Sequence, residues 1–257
     1  MSSETVEIDY TTSDIVTIPD HVDKNAVKYI NVHKEFKKVP FGAFANMPNL
    51  LNVALPNSME GFDDNIFISS ETAMPRFYIP PKVNKLHVEN SFDFACLESF
   101  DVDPRNPSFT SENGVLYSRD KKTLISFPLC RKVSSFTVPD SVENLYFAAF
   151  NRARYLERIV FPTSITNMSN EFCFGNGDVL KQILVYRNTN QKKPYIGNSF
   201  EETTFQKEDI VYIYPSKVKK PNEVFSFSFN IILACLELSN DFSQNYTRLS
   251  YQSLGII

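Results

Sequence analysis

Three histidines, His21, His33 and His87, and two adjacent carboxylate pairs, Asp63–Asp64 and Glu201–Glu202, are the side chains of this sequence best suited to moving protons. General acid–base work needs such groups held across a cleft. A nucleophilic triad needs a base beside a Ser or Cys and a third group to orient it. None of these residues shares a local motif with another, and no G-x-S-x-G elbow marks a serine. They read as surface and turn positions. Asp101, Asp103 and Asp120 are the candidates for a cation, but the D-x-D-x-D-G loop that wraps oxygens around calcium is absent. Asp103, before Pro104, reads as a turn former. Cys96, Cys130, Cys173 and Cys235 are widely spaced and form no CxxC pair. They read as buried free thiols, neither a zinc cluster nor a dense disulfide framework. The expectation is no catalytic residue, no metal and no cofactor.

The totals exclude further classes. The chain has 257 residues and a net charge of −4, which leaves no broad footprint for nucleic acid. Its 7 glycines are too few, and wrongly placed, for a phosphate-cradling loop. The basic clusters Lys34, Lys37, Lys38 and Lys217, Lys219, Lys220 are short and separate, and read as solubility charges. The longest apolar stretch, Phe229 to Leu238, is about half of the roughly 20 residues that span a bilayer, so no membrane insertion is expected. The opening residues lack the basic start and apolar core of a secretory leader. Two N-x-[ST] sequons, Asn167 and Asn245, would matter only in a secreted protein.

The elements that must position any site repeat. Prolines end short apolar strands at Pro19, Pro56, Pro80, Pro139 and Pro162; Pro56 to Pro80 is 24 residues and Pro139 to Pro162 is 23. A Phe follows 11 or 12 residues after Pro at Phe67, Phe92, Phe150 and Phe174. A large apolar residue follows each Phe at Met74, Leu97, Leu156 and Leu180. Pro19 and Phe44 are 25 apart, which reads as a stretched first unit with about 13 extra residues. Such units cannot bury an apolar face alone, but stacked they share a core. Proline ends each strand because it has no N–H for the ladder. Phe at one position in successive rungs is expected to stack as a single column. The excess between Pro80 and Pro139 is filled by "SENGVLYSRDKKTLISFP", read as a β-hairpin with strands "GVLYS" and "TLISF" joined at "RDKK". Read as an insertion between rungs, it should be removable without loss of the fold.

The pattern LxxIxxPxSVxxLxxxAF, and above all "FDVDPRNPSFTSENGVLYSRDKKTLISFP", resembles the BspA-like leucine-rich repeat family. The resemblance covers roughly residues 15–185. It implies a leucine-rich-repeat solenoid: β-rich, right-handed, with rungs of about 23 residues, one inserted hairpin and short helical or irregular convex segments. The expected organisation is a single solenoid domain, 1–257. Within it, 1–14 is a lead-in or cap, 15–187 the repeats with the hairpin insert at 111–128, and 188–257 degenerate last rungs and a C-terminal cap. The usual Gly before the Ala-Phe pair is mostly missing here.

Strand alternation then divides inward from outward residues. The inward set is Val53, Leu55, Phe77, Ile79, Phe100, Val102, Phe136, Val138, Ile159, Phe161, Ile183 and Val185. The outward ladder is Asn52 and Ala54, Arg76 and Tyr78, Ser99 and Asp101, Ser135 and Thr137, Arg158 and Val160, Gln182 and Leu184. These form the candidate partner-binding stripe, with Arg76, Tyr78 and Arg158 as anchors because Tyr and Arg dominate interface energetics. The expected function is a non-enzymatic scaffold that binds a protein partner. The resemblance implies a surface-associated or adhesion-type protein; the leaderless start favours a cytoplasmic adaptor. An enzyme or accessory domain with a site on the strand face is the remaining alternative.

Overall fold

The computed structural model describes residues 4–8, 15–33, 36–63, 65–67, 74–86, 96–168, 174, 179–197 and 207–214. The chain divides into a large unit, Met1–Tyr212, and a second, Ile213–Ile257, of which Ile213 and Tyr214 are described. In order, the strands are β1 (Thr5–Ile8), β2 (Tyr29–Val32), β3 (Lys38–Val39), β4 (Asn52–Ala54), β5 (Gly61–Phe62), β6 (Arg76–Ile79), β7 (Lys85–Leu86) and β8 (Ser99–Val102). They continue with β9 (Phe109–Glu112), β10 (Val115–Ser118), β11 (Thr123–Ser126), β12 (Ser135–Thr137), β13 (Asn144–Leu145), β14 (Arg158–Phe161), β15 (Gln182–Tyr186) and β16 (Val211–Ile213). One 3-10 turn, Lys207–Asp209, is the helical element among the described residues.

These strands build a β-solenoid of about 7 turns with rungs of ~23 residues. Each rung contributes to two parallel columns. The first runs β1-β2-β4, then β6-β8, then β12-β14-β15-β16. The second runs from an Ile15 bridge through β3-β5-β7, and later from β11 through β13 to bridges at Asn167 and Tyr195. Between columns the chain turns at Pro-x-x-apolar. The apolar N–H donates back to the proline carbonyl at Met59 to Pro56 (3.1 Å), Val83 to Pro80 (3.3 Å) and Val142 to Pro139 (3.0 Å). A polar side chain one rung later takes the carbonyl of the buried apolar residue. Ser58 Oγ donates to Phe36 O (2.8 Å), Ser164 Oγ to Val142 O (2.7 Å), Asn106 Nδ2 to Val83 O (2.9 Å) and Arg187 Nη2 to Ile165 O. Buried carbonyls left unmatched would each oppose folding, so these residues bond the rungs through their turns.

The missing glycines are explained by the backbone. The residue before the Ala-Phe pair is left-handed at Gly42 (φ 64°), and so are its counterparts Asn65 (φ 49°) and Ala148 (φ 52°). Gly and Asn reach this region cheaply, whereas Ala costs about 1–2 kcal/mol there. The conformation persists although the glycine does not.

The N-terminal rungs depart from expectation. The first rung is not stretched: β2 lies within it and pairs in parallel with both β1 (Thr5↔Tyr29) and β4 (Tyr29↔Asn52). Pro19 follows the Ile15 bridge to Lys38 as Pro40 follows β3, so its turn onto Val22 N–H is a second-column turn. Residues 5–8, within the expected lead-in or cap, form β1, the terminal strand of the first column.

The expected hairpin is present, with β10 and β11 paired antiparallel across Arg119–Lys122, and β9 extends it to a three-stranded meander through an "NG" turn with positive φ at both Asn113 and Gly114. Its strand β11 pairs in parallel with β13, filling a rung position in the second column. The apolar side chains of the insert are buried, and they divide between two hydrophobic cores. Leu116 and Ile125 join the first, around Ile30, Phe67 and Phe100. Val115, Tyr117, Leu124 and Phe127 join the second, around Phe150, Phe161 and Ile183.

Among the described residues the phenylalanine ladder is seen in two stretches, one on either side of Phe92. Phe44 and Phe67 lie 5.5 Å apart in the first core, with Phe77 5.7 Å beyond. Phe127, Phe150 and Phe174 follow at 5.6 Å steps in the second, Phe150 and Phe174 stacked at 6°. Phe127, which belongs to the insert, supplies a ladder position. Phe92 lies outside the described residues.

Cys96 and Cys130 are joined in a disulfide, with Cα atoms 5.1 Å apart, and are not free thiols. Their separation along the chain hid a pairing that the meander makes possible by returning Cys130 to Leu97, whose carbonyl accepts its N–H at 2.8 Å. Cys173 and Cys235 lie outside the described residues.

Candidate functional site

Of the inward set, ten residues are buried, and Val102 and Phe136 are half-buried. On the outward side, neighbours pair across strands as Tyr29↔Asn52, Asn31↔Ala54, Arg76↔Ser99 and Tyr78↔Asp101. Further along they pair as Ser135↔Arg158↔Gln182 and Thr137↔Val160↔Leu184. Asn52, Ala54, Arg76, Tyr78, Asp101, Ser135, Thr137 and Arg158 are exposed; Ser99 and Gln182 are half-buried.

Two outward positions are corrected. Val160 and Leu184 are buried, at 4% and 0% exposure. Strands β14 "RIVF" and β15 "QILVY" are continuous apolar runs, the mark of a sheet covered on both faces. Ser99 is also part-covered, because the Asn113–Gly114 turn of the meander packs on it. Gly114 O accepts from Phe100 N at 2.8 Å, and a Cβ on Gly114 would come within 2.7 Å of Ser99 Cβ. Besides the exposed Ser135, Thr137 and Arg158, the open face lies on β1, β2, β4, β6 and the far end of β8.

That part holds residues the sequence reading missed. Tyr29 is 41% exposed beside Asn52. Glu7 accepts from Asn31 Nδ2 at 2.8 Å, and His33 Nε2 lies 2.7 Å from its other oxygen. The hydrogen bond with His33, then that with Asn31, holds the Glu7 carboxyl below its ordinary range. The alternation in "TVEI" and "YINV", with Val6, Ile8, Ile30 and Val32 inward, was the available signal.

Tyr78, expected as an anchor, is tied at its tip. Its hydroxyl donates to Asp103 Oδ2 at 2.7 Å. Asp103 also accepts from Arg105 N and Nε at 2.9 Å and from Arg105 Nη2 at 2.8 Å. Asp103 is 5% exposed, so its carboxylate is committed to holding the meander's entry. The Arg105 side chain, then the Tyr78 hydroxyl, then the Arg105 N–H hold Asp103 well below the usual carboxylate range. Burial, then the Asp103 bond, pushes Tyr78 up to about 12. Asp103 thus contributes stability that is full above the unfolded carboxyl pKa near 4 and is lost as pH falls towards its folded value. An acid titration of urea midpoints should show wild type losing stability below about pH 4, and Asp103→Asn should flatten that fall; parallel curves would remove Asp103 from the acid response.

Of the other cation candidates, Asp101 faces Arg76 at 3.5 Å, and Asp120 accepts from Ser118 Oγ at 2.7 Å and Lys122 N at 3.0 Å. Asp63 pairs with Lys38 at 2.9 Å, and Lys37 with Glu60 at 3.4 Å, so these basic residues meet acids one rung on. His21 is exposed; His87, Asp64, Glu201 and Glu202 lie outside the described residues, as do Lys34 and the 217–220 cluster. Among the described residues no three His, Cys, Asp or Glu side chains gather as metal ligands. Among them, too, no helix is long and apolar enough to cross a membrane.

The family model of the BspA type leucine rich repeat region matches residues 6–113 and 125–231, in 6 copies. The chain belongs to the BspA-type leucine-rich-repeat family. The unmatched interval runs from Gly114 to Leu124, within the meander. No curated protein matches this member. A leucine-rich cell surface protein of Faecalibacterium prausnitzii is similar in structure, with a TM-score of 0.52 and 21% identity over 68% of this chain and 46% of that one. The BspA-type chain thus spans under half of that protein's length. A leucine-rich repeat protein of Eubacterium ventriosum shows 16% identity over 77% and 70% of the two chains, TM-score 0.43. The pneumococcal vaccine antigen PcpA shows 18% over 91% and 80%, TM-score 0.45.

Proposed function

We propose that this BspA-type chain is a non-enzymatic protein-binding module of a cell-surface, adhesion-type protein. Its interface is the first-column face of β1, β2, β4, β6 and β8. The observation that carries this reading is the pairing of exposed Tyr29 with Asn52, and of Arg76 and Tyr78 with Ser99 and Asp101, on one open strand face. Tyr and Arg offer large contact area with hydrogen-bonding ends, the combination that dominates interface energetics. The parallel columns hold their backbone rigidly, which lowers the entropic cost of docking. The cell-surface character of the Faecalibacterium relative supports the location.

The test is capture of a partner by cross-linking on intact cells of the source organism, followed by titration of the purified pair. Tyr29→Ala with Arg76→Ala should weaken binding by about 2 kcal/mol or more, roughly 30-fold. Arg158→Ala, on the sheet where Val160 and Leu184 are buried, should leave affinity within about twofold. The reverse ranking would move the interface to β12-β14-β15.

A further inference from the structure

The junction between the two cores carries a covalent bond. Leu97, just before β8, belongs to the first core, and Phe127, just after β11, to the second. Between them run β8, the Asp103–Asn106 turn and the whole meander. The segment Leu129–Cys130 then bridges the two sides by backbone. Cys130 N donates to Leu97 O at 2.8 Å, and Leu129 O accepts from Arg154 N at 2.9 Å. The disulfide from Cys96 to Cys130, 34 residues apart, locks that bridge. Cys130 is 2% exposed and Cys96 is half-buried.

We propose that the Cys96–Cys130 disulfide is a latch that closes the meander onto the last rung of the first core, and that this chain is built to fold in an oxidising compartment. Disulfides persist where thiol-reducing systems are absent. Oxidation joins the two thiols and releases two protons and two electrons. A low-molecular-weight disulfide such as oxidised glutathione accepts them by exchange and leaves as two thiols. Reduction reopens a loop containing β8 through β11. The unfolded chain regains the entropy of that loop, and the folded state gains nothing in return.

Protein refolded with oxidised glutathione, alkylated and digested without reductant should yield the Cys96 peptide joined to the Cys130 peptide. Reduction with a phosphine should then raise the unfolding equilibrium constant on the order of 100-fold or more, read from urea titrations. A Cys96→Ala, Cys130→Ala double variant should match the reduced wild type and ignore the phosphine. Alkylation of Cys96 or Cys130 in the folded, oxidised protein would overturn the latch. So would an unchanged midpoint on reduction. A phosphine response surviving in the double variant would assign the effect to other cysteines and overturn it equally.

Discussion

A chain lacking residues 111–127, closed by a short Gly-Ser linker, is expected to lose cooperative folding. The deletion removes Val115, Leu116, Tyr117, Leu124, Ile125 and Phe127, each at most 5% exposed. Fully burying such a side chain contributes about 1.5–3 kcal/mol. Six of them give on the order of 10 kcal/mol, an upper estimate because denatured chains already bury some surface. A typical domain holds only about 5–15 kcal/mol in all. The loss is not confined to the insert. Phe127 packs with its ring centroid 5.6 Å from that of Phe150, and β13 loses its parallel partner β11. Urea denaturation followed by circular dichroism should show a broad, early transition. A single sharp transition near the wild-type midpoint would show that the meander is a dispensable appendage, as its place in the repeat count suggests.

Asn106→Ala is expected to cost about 4 kcal/mol, the largest single-residue effect outside the apolar cores. Asn106 is 1% exposed, and both ends of its amide are in use. Its Nδ2 donates to Pro80 O at 2.8 Å and Val83 O at 2.9 Å, while its Oδ1 accepts from Ser108 N and Phe109 N at 2.9 Å. One side chain therefore ties a rung turn to the first residue of β9. Alanine leaves three backbone groups, Val83 O, Ser108 N and Phe109 N, without this partner, while Pro80 O keeps the Val83 N–H; each unmatched group costs about 1–3 kcal/mol where water cannot reach. Asn106→Asp keeps the acceptor and turns a carboxylate towards two carbonyls, so it should be no milder. Urea-derived unfolding free energies decide the matter; a loss under about 1 kcal/mol for alanine would mean that water replaces the amide.

The repeat itself was plain in the linear order, because it is a local property written several times. An apolar residue two positions from another faces the same side of a strand, and the same spacing recurred at Val53 and Leu55, Phe77 and Ile79, Ile159 and Phe161. The same rule marks β1 and β2 in "TVEI" and "YINV", whereas Pro19 belongs to a second-column turn and not to a first-column strand. Proline marks a chain turn without saying which of the two turns in a rung it is. The candidate site was half legible. Arg76, Tyr78 and Asp101 are exposed where alternation placed them, whereas Val160 and Leu184 are not.

What the amino-acid order determined by itself was the class of architecture, the rung length, and which side of each strand is apolar. Those follow from short-range periodicity, in which every rung repeats the same physical demand. What only the tertiary structure decided was where the insert packs, which cysteines meet, and which outward positions stay open. Cys96 and Cys130 come together because the meander folds back, and Ser99 is part-covered because that same fold lays Gly114 upon it. Contacts between segments far apart in the chain depend on the path the chain takes between them, and periodicity carries no information about that path.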